Sequence, residues 1–110
     1  MSFETALTQW RDGERRLAEA GSDRAPALER VTARIAAELR RRLGGPFTVD
    51  ELVDLYEQGT SWCLDVAYAT APGAPWAWEE RIVADAAFYR YLQGARDFAG
   101  GRRIDEPAGR

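Results

Sequence analysis

The sequence predicts an all-α fold, a compact four-helix bundle-like single domain with short loops. Three observations carry this. Apolar residues recur at helical spacing through four segments, no segment alternates convincingly as a strand does, and the breaks fall at short Gly- and Pro-bearing stretches. The 110 residues are a one-domain length. Apolar residues at 45% and charged residues at 30% give an ordinary globular balance.

The first helix is expected over residues 3–20. Phe3, Leu7, Trp10 and Leu17 share a face, with Gly13 between them. Ser2 stands as the N-cap and Gly21 as the stop. The second helix is expected over 25–43, capped by Ser22 or Asp23. Pro26 falls in its first turn, where a missing N–H costs little. Leu28, Val31, Ile35, Leu39 and Leu43 follow at helical spacing, and Gly44-Gly45-Pro46 ends the run.

The third helix is expected over 49–70. Thr48 and Glu51 have capping-box spacing, Phe47 and Leu52 form a candidate hydrophobic staple, and Asp50 and Glu51 suit the positive end of the helix dipole. Its face carries Leu52, Leu55, Tyr56, Gly59, Trp62, Cys63, Val66 and Ala67. Gly59 inside a helix costs about 1 kcal/mol relative to alanine. Burying Leu52, Leu55, Val66 and the Trp62 ring contributes roughly 1.5–3 kcal/mol each. The apolar register also survives the glycine, so a continuous helix is expected, with Gly59 at a close crossing. A break at Gln58-Gly59-Thr60 is the alternative.

Ala71-Pro72-Gly73-Ala74-Pro75 forms a turn, and the fourth helix is expected over 77–99. Ala84, Ala87, Phe88, Tyr91, Leu92, Ala95 and Phe98 make its main stripe, with Ile82, Ala86 and Tyr89 partly round the side. That surface is wider than one neighbour covers, so the helix is either central or partly a binding face. The third and fourth helices are expected to be the central pair of a domain spanning 1–100. Residues 101–110 read as a flexible charged tail.

Composition narrows the function classes. Histidine, lysine and asparagine are absent, and all fifteen basic residues are arginine, a pattern of GC-rich coding. Without histidine the usual neutral-pH general base and the imidazole ligand of zinc or non-haem iron sites are gone. The acids Asp50, Asp54, Glu57 and Asp65 read as the wet face of a helix. Cys63, the lone cysteine, lies on the apolar face with no histidine or lysine to activate it. It permits no internal disulfide and suits a reducing compartment. No window is a membrane span and the N-terminus lacks a signal-peptide pattern, so a cytoplasmic protein is expected. No cofactor, no metal and no catalytic set are expected.

Residues 1–45 hold nine arginines against seven acids, and residues 46–98 three against nine. Arg30, Arg34 and Arg41 lie close to one line of the second helix and form a candidate anion or partner patch. Glu29 and Glu38 interrupt that row, so it reads first as a solvated face. A helix-turn-helix built from residues 47–69 would give its second helix one acid, Asp65, and no arginine for phosphates. Asp85 interrupts an apolar run and can pair with Arg81 one turn back.

The leading expectation is a small non-enzymatic interaction module, accessory or regulatory, that binds a protein partner or itself through an aromatic helical surface. Its candidate residues are Trp76, Trp78, Ile82 and Tyr89. A nucleic-acid-associated regulator using the arginine-rich second helix is the first alternative. A small-ligand binder or enzyme with a pocket lined by Tyr56, Trp62 and Tyr91 is the second, disfavoured because bundles this small rarely leave ~300 Å³.

Overall fold

The computed structural model describes the backbone of residues 1–44, 47–72 and 76–98, and the side chains of 1–44, 47–72 and 79–94. The expected tail, 101–110, lies outside the described residues. The fold is all-α, with five helices among the described residues: α1 (Phe3–Ala18), α2 (Ala25–Leu43), α3 (Val49–Glu57), α4 (Ser61–Thr70) and α5 (Trp76–Phe98).

Local chemistry sets most of the ends. The Ser2 hydroxyl accepts from the Thr5 N–H at 3.1 Å. Thr48 and Glu51 make the full capping box, each side chain accepting from the other's backbone N–H at 3.1 and 2.9 Å. Gly44 closes α2 in the left-handed conformation. The start of α2 differs from expectation. Arg24, and neither Ser22 nor Asp23, is its N-cap, and no side chain caps it. The backbone satisfies the turn instead, because the Arg24 and Ala25 N–H groups both donate to Gly21 O.

Two larger expectations are corrected. The helix over 49–70 is broken at Gly59, which has φ 116° and is exposed, with no atom near the place of a Cβ. Gly59 is therefore a hinge and not a crossing. The apolar register is local and persists on both sides, but the break lets the halves choose different partners. α3 packs on α1, whereas α4 packs on α2 and α5. The central pair is also not the one expected. α5 is central and α1 is its principal neighbour, followed by α2. Residues 82–88 of α5 are all buried, which only a helix covered on every side allows.

Gly13 explains the α1–α5 pairing. A Cβ built there would lie 2.4 Å from the Asp85 Cβ and 3.0 Å from the Ala86 N. The bare backbone of α1 thus lies directly on α5. Next to this contact Trp10 stacks on Phe88, with ring centroids 5.3 Å apart. Tyr56 meets both rings edge-on at 5.6 and 5.1 Å, joining α3 to the same cluster. Phe47 stacks on Tyr91 at 5.1 Å.

Three glycine substitutions separate these roles in urea unfolding. Gly13→Ala is expected to cost about 1–3 kcal/mol by overpacking the crossing. Gly59→Ala is expected to cost about 1–2 kcal/mol through its positive φ. Gly94→Ala, on exposed open helix surface, is expected to stabilise by up to about 1 kcal/mol.

Candidate functional site

The most concentrated polar chemistry lies beside the α1–α5 crossing. Asp85 is 6% exposed. The Tyr56 hydroxyl oxygen lies 2.8 Å from Asp85 Oδ1 and 2.8 Å from Gln9 Oε1. Arg81, one turn back on α5 as the sequence spacing indicates, pairs its Nε with Asp85 Oδ2 at 3.4 Å. Its Nη2 donates to Gln9 Oε1 at 3.3 Å. Burial pushes the Asp85 carboxyl above its ordinary 3.8, against the pull of Tyr56 and Arg81. Burial, and then the Asp85 charge, push the Tyr56 phenol up to about 12. The sequence identifies the Asp85–Arg81 pair. The parts of Tyr56 and Gln9 depend on two other helices and have no signal in local spacing.

A second polar cluster pins α5 to its neighbours. The Arg90 guanidinium donates to both carboxylate oxygens of Glu14 on α1, at 2.7 and 3.2 Å, and to both of Glu29 on α2, at 2.7 and 3.1 Å. These are bidentate, charge-assisted bonds. They hold the Glu29 carboxyl below its ordinary 4.5. Glu29 therefore contributes stability above about pH 4.5, lost as the pH falls through its lower folded value. Sequence reasoning missed this clamp, although a lone arginine between Tyr89 and Tyr91 in an apolar helix was its signal.

The candidate arginine patch is distributed between solvent and local acids. Arg30 and Arg34 are exposed on α2. Arg41 pairs with Glu38, which also accepts from Arg42. The Arg42 guanidinium sits 4.3 Å from the Trp62 ring centre, a cation–π contact joining α2 to α4. The backbone over 49–70 has the two-helix outline of a helix-turn-helix, but α4 offers Asp65 and no basic residue.

Of the candidate interaction residues, the structure describes the side chains of Ile82 and Tyr89. Ile82 is 8% exposed and belongs to the core, a correction that follows from the central position of α5. Tyr89 is half-buried against the core. The Trp76 and Trp78 side chains lie outside the described residues. Among the described residues, partly covered apolar side chains occur on every helix, and α4 carries three of them, Trp62, Leu64 and Val66, together with the exposed Tyr68. Only Cys63 and Ala67 of that helix are buried. Trp62, Leu64 and Val66 are half-covered, and Tyr68 is 47% exposed.

Among the described residues Tyr56, Trp62 and Tyr91 have separate partners. They pack with Trp10 and Phe88, under Arg42, and on Phe47 respectively. A cleft of about 320 Å³ lies elsewhere, between the end of α1, the start of α2 and α5. Arg16 and Glu19 contribute to its walls, as do Leu28, Ile82 and the buried carboxylate of Glu79, which is ion-paired with Arg24. Its volume is of the ~300 Å³ size that bundles this small rarely leave.

Among the described residues no three acidic or cysteine side chains gather as metal ligands. None of their helices is long and apolar enough to cross a membrane. The chain matches no family model, no curated protein and no solved structure.

Two measurements test these environments. Burial raises the Cys63 thiol to about 12. Labelling by a disulfide reagent at pH 8 is therefore expected only at the rate of unfolding. Fast labelling of native protein would show an open site. Arg90→Ala is expected to cost about 1 kcal/mol, with a smaller loss in 1 M salt because the cluster is partly exposed.

Proposed function

We propose that this chain is a small non-enzymatic interaction module that engages a protein partner, or a second copy of itself, through an aromatic and aliphatic helical surface. The supporting observation is the character of α4. Of its ten residues, Trp62, Leu64, Val66 and Tyr68 are apolar or aromatic and only partly covered, and Asp65 is its single charged residue. A helix apolar on most of its circumference is normally buried. Tyr68, with a ring and a hydroxyl in partial contact with water, is the type of residue that anchors interfaces. An accessory or regulatory role belongs to the same proposal, as does residence in the cytoplasm, for which a single buried thiol is the support.

The nucleic-acid alternative draws less support, because Glu38 already neutralises part of the arginine row. The small-ligand alternative draws support from one observation, the cleft beside Glu79.

The deciding experiment compares wild type with Tyr68→Arg. Each is tagged, purified from the native host with and without nuclease, and examined for self-association by light scattering. The substitution is expected to change stability by no more than about 0.5 kcal/mol. It is expected to weaken partner binding or self-association at least tenfold, as loss of an interface anchor does. An unchanged partner at unchanged affinity overturns the α4 surface. Partners lost on nuclease treatment favour the arginine face, and ligand-dependent stabilisation in a metabolite screen favours the cleft.

A further inference from the structure

The cleft between α1, α2 and α5 is built in two levels. α2 and α5 run the same way, since Arg24 meets Glu79 and, further along both helices, Glu29 meets Arg90. Glu79 and Ile82 lie three residues apart on α5, and Arg24 and Leu28 four apart at the start of α2, so each pair shares a face. The cleft therefore has a charged pair at one level and a buried aliphatic pair one turn on.

Glu79 is the unusual member, at 3% exposed. A carboxylate taken out of water is costly unless hydrogen bonds replace those of the solvent. Arg24 engages Glu79 Oε2, and a carboxylate has about four acceptor positions. Acceptor capacity thus remains on the wall of a cleft of about 320 Å³. The Arg24 guanidinium is a planar fork of donors, more than one carboxylate oxygen takes up. A positive and a negative group stand side by side, each with hydrogen-bonding capacity beyond the pair itself. A ligand of one charge would meet its like here. A ligand with ammonium and carboxylate on one carbon meets an opposite charge with each.

The rest of the lining has the same two-sided character. α1 ends at Ala18 and α2 begins at Ala25. The lining segment between them brings the negative end of one helix dipole and the positive end of another to the cleft. No side chain caps the start of α2. At the mouth Glu19 is paired with Arg15 at 2.9 Å. The exposed Arg16 adds a second guanidinium suited to a carboxylate.

We propose that this cleft binds a free aliphatic α-amino acid, with its ammonium on Glu79, its carboxylate on Arg24 and Arg16, and its side chain on Leu28 and Ile82. The volume is near the lower limit of ligand pockets, which suits a molecule of this size. Among the described residues none of α4 lines the cleft. The site is therefore separate from the proposed interaction surface, and neither reading rests on the other.

Nitrogen-15-labelled full chain is titrated at pH 7 with leucine, isoleucine, valine and methionine, and followed by amide NMR. Three fragments of leucine are titrated in parallel. Isocaproate lacks the ammonium, isoamylamine lacks the carboxylate, and glycine lacks the side chain. At least one of the four amino acids is expected to give saturable shifts at the amides of Ala20, Gly21, Arg24 and Ile82. Its affinity is expected to exceed that of every fragment at least tenfold. Arg16→Gln, on exposed helix surface, is expected to weaken this binding about two- to fivefold. Glu79→Gln is expected to weaken amino-acid binding at least tenfold while isocaproate binds no worse. Should Glu79→Gln fail to fold in a urea titration, the fragment series and Arg16→Gln decide without it. No saturable shift at roughly 10 mM of any of the four overturns the proposal. So do isocaproate or isoamylamine binding as tightly as the amino acid, shifts confined to residues outside the cleft, or an affinity that folded Glu79→Gln leaves unchanged. These cleft shifts are a readout distinct from partner capture through α4, so either reading can fail alone.

Discussion

The contact on which the remaining structure depends is the one between Gly13 and the backbone of α5 at Asp85 and Ala86. Two helices approach this closely only where one of them lacks a side chain. Once α1 lies directly on α5, Trp10 is brought into stacking with Phe88, and the pair forms a flat aromatic wall. α3 then closes on that wall through the edge of Tyr56. The same approach buries Asp85, whose carboxyl must find partners inside the protein or keep a proton. Packing and polar chemistry at this point therefore have a common cause.

The position of α5 follows from its composition. Small residues Ala84, Ala86 and Ala87 let neighbours come near, while Val83, Phe88 and Leu92 fill the spaces between them. A helix covered all round has no wet face in its middle, so its charges lie where neighbouring helices supply partners. Arg90 answers Glu14 and Glu29, and Glu79 pairs with Arg24. These pairs fix how α1 and α2 are placed about α5. The basic first half and the acidic second half of the sequence are in this way partly reconciled inside the domain.

The break at Gly59 has the opposite effect. It divides an apolar face that one straight helix would direct at a single neighbour. α3 goes to α1, and α4 is left against α2 and α5 with much of its apolar surface half-covered.

The sequence by itself determined the helical class, the ends of most helices and a large part of the core. Ser2, Thr48 with Glu51, Pro26 and Gly44 act within one turn, so their effects are legible in the order of residues. The core positions of α1 and α2 follow from 3.6-residue periodicity, and the Asp85–Arg81 pair from i,i+4 spacing. What only the tertiary structure decided was which glycine hinges and which one crosses. Gly59 reads as the crossing because the register continues through it, and Gly13 reads as a gap in a stripe. A crossing is a relation between two backbones far apart in sequence, and periodicity along one of them carries no record of the other. The same reason hid the parts of Tyr56, Gln9 and Arg90, whose roles exist only where three helices meet.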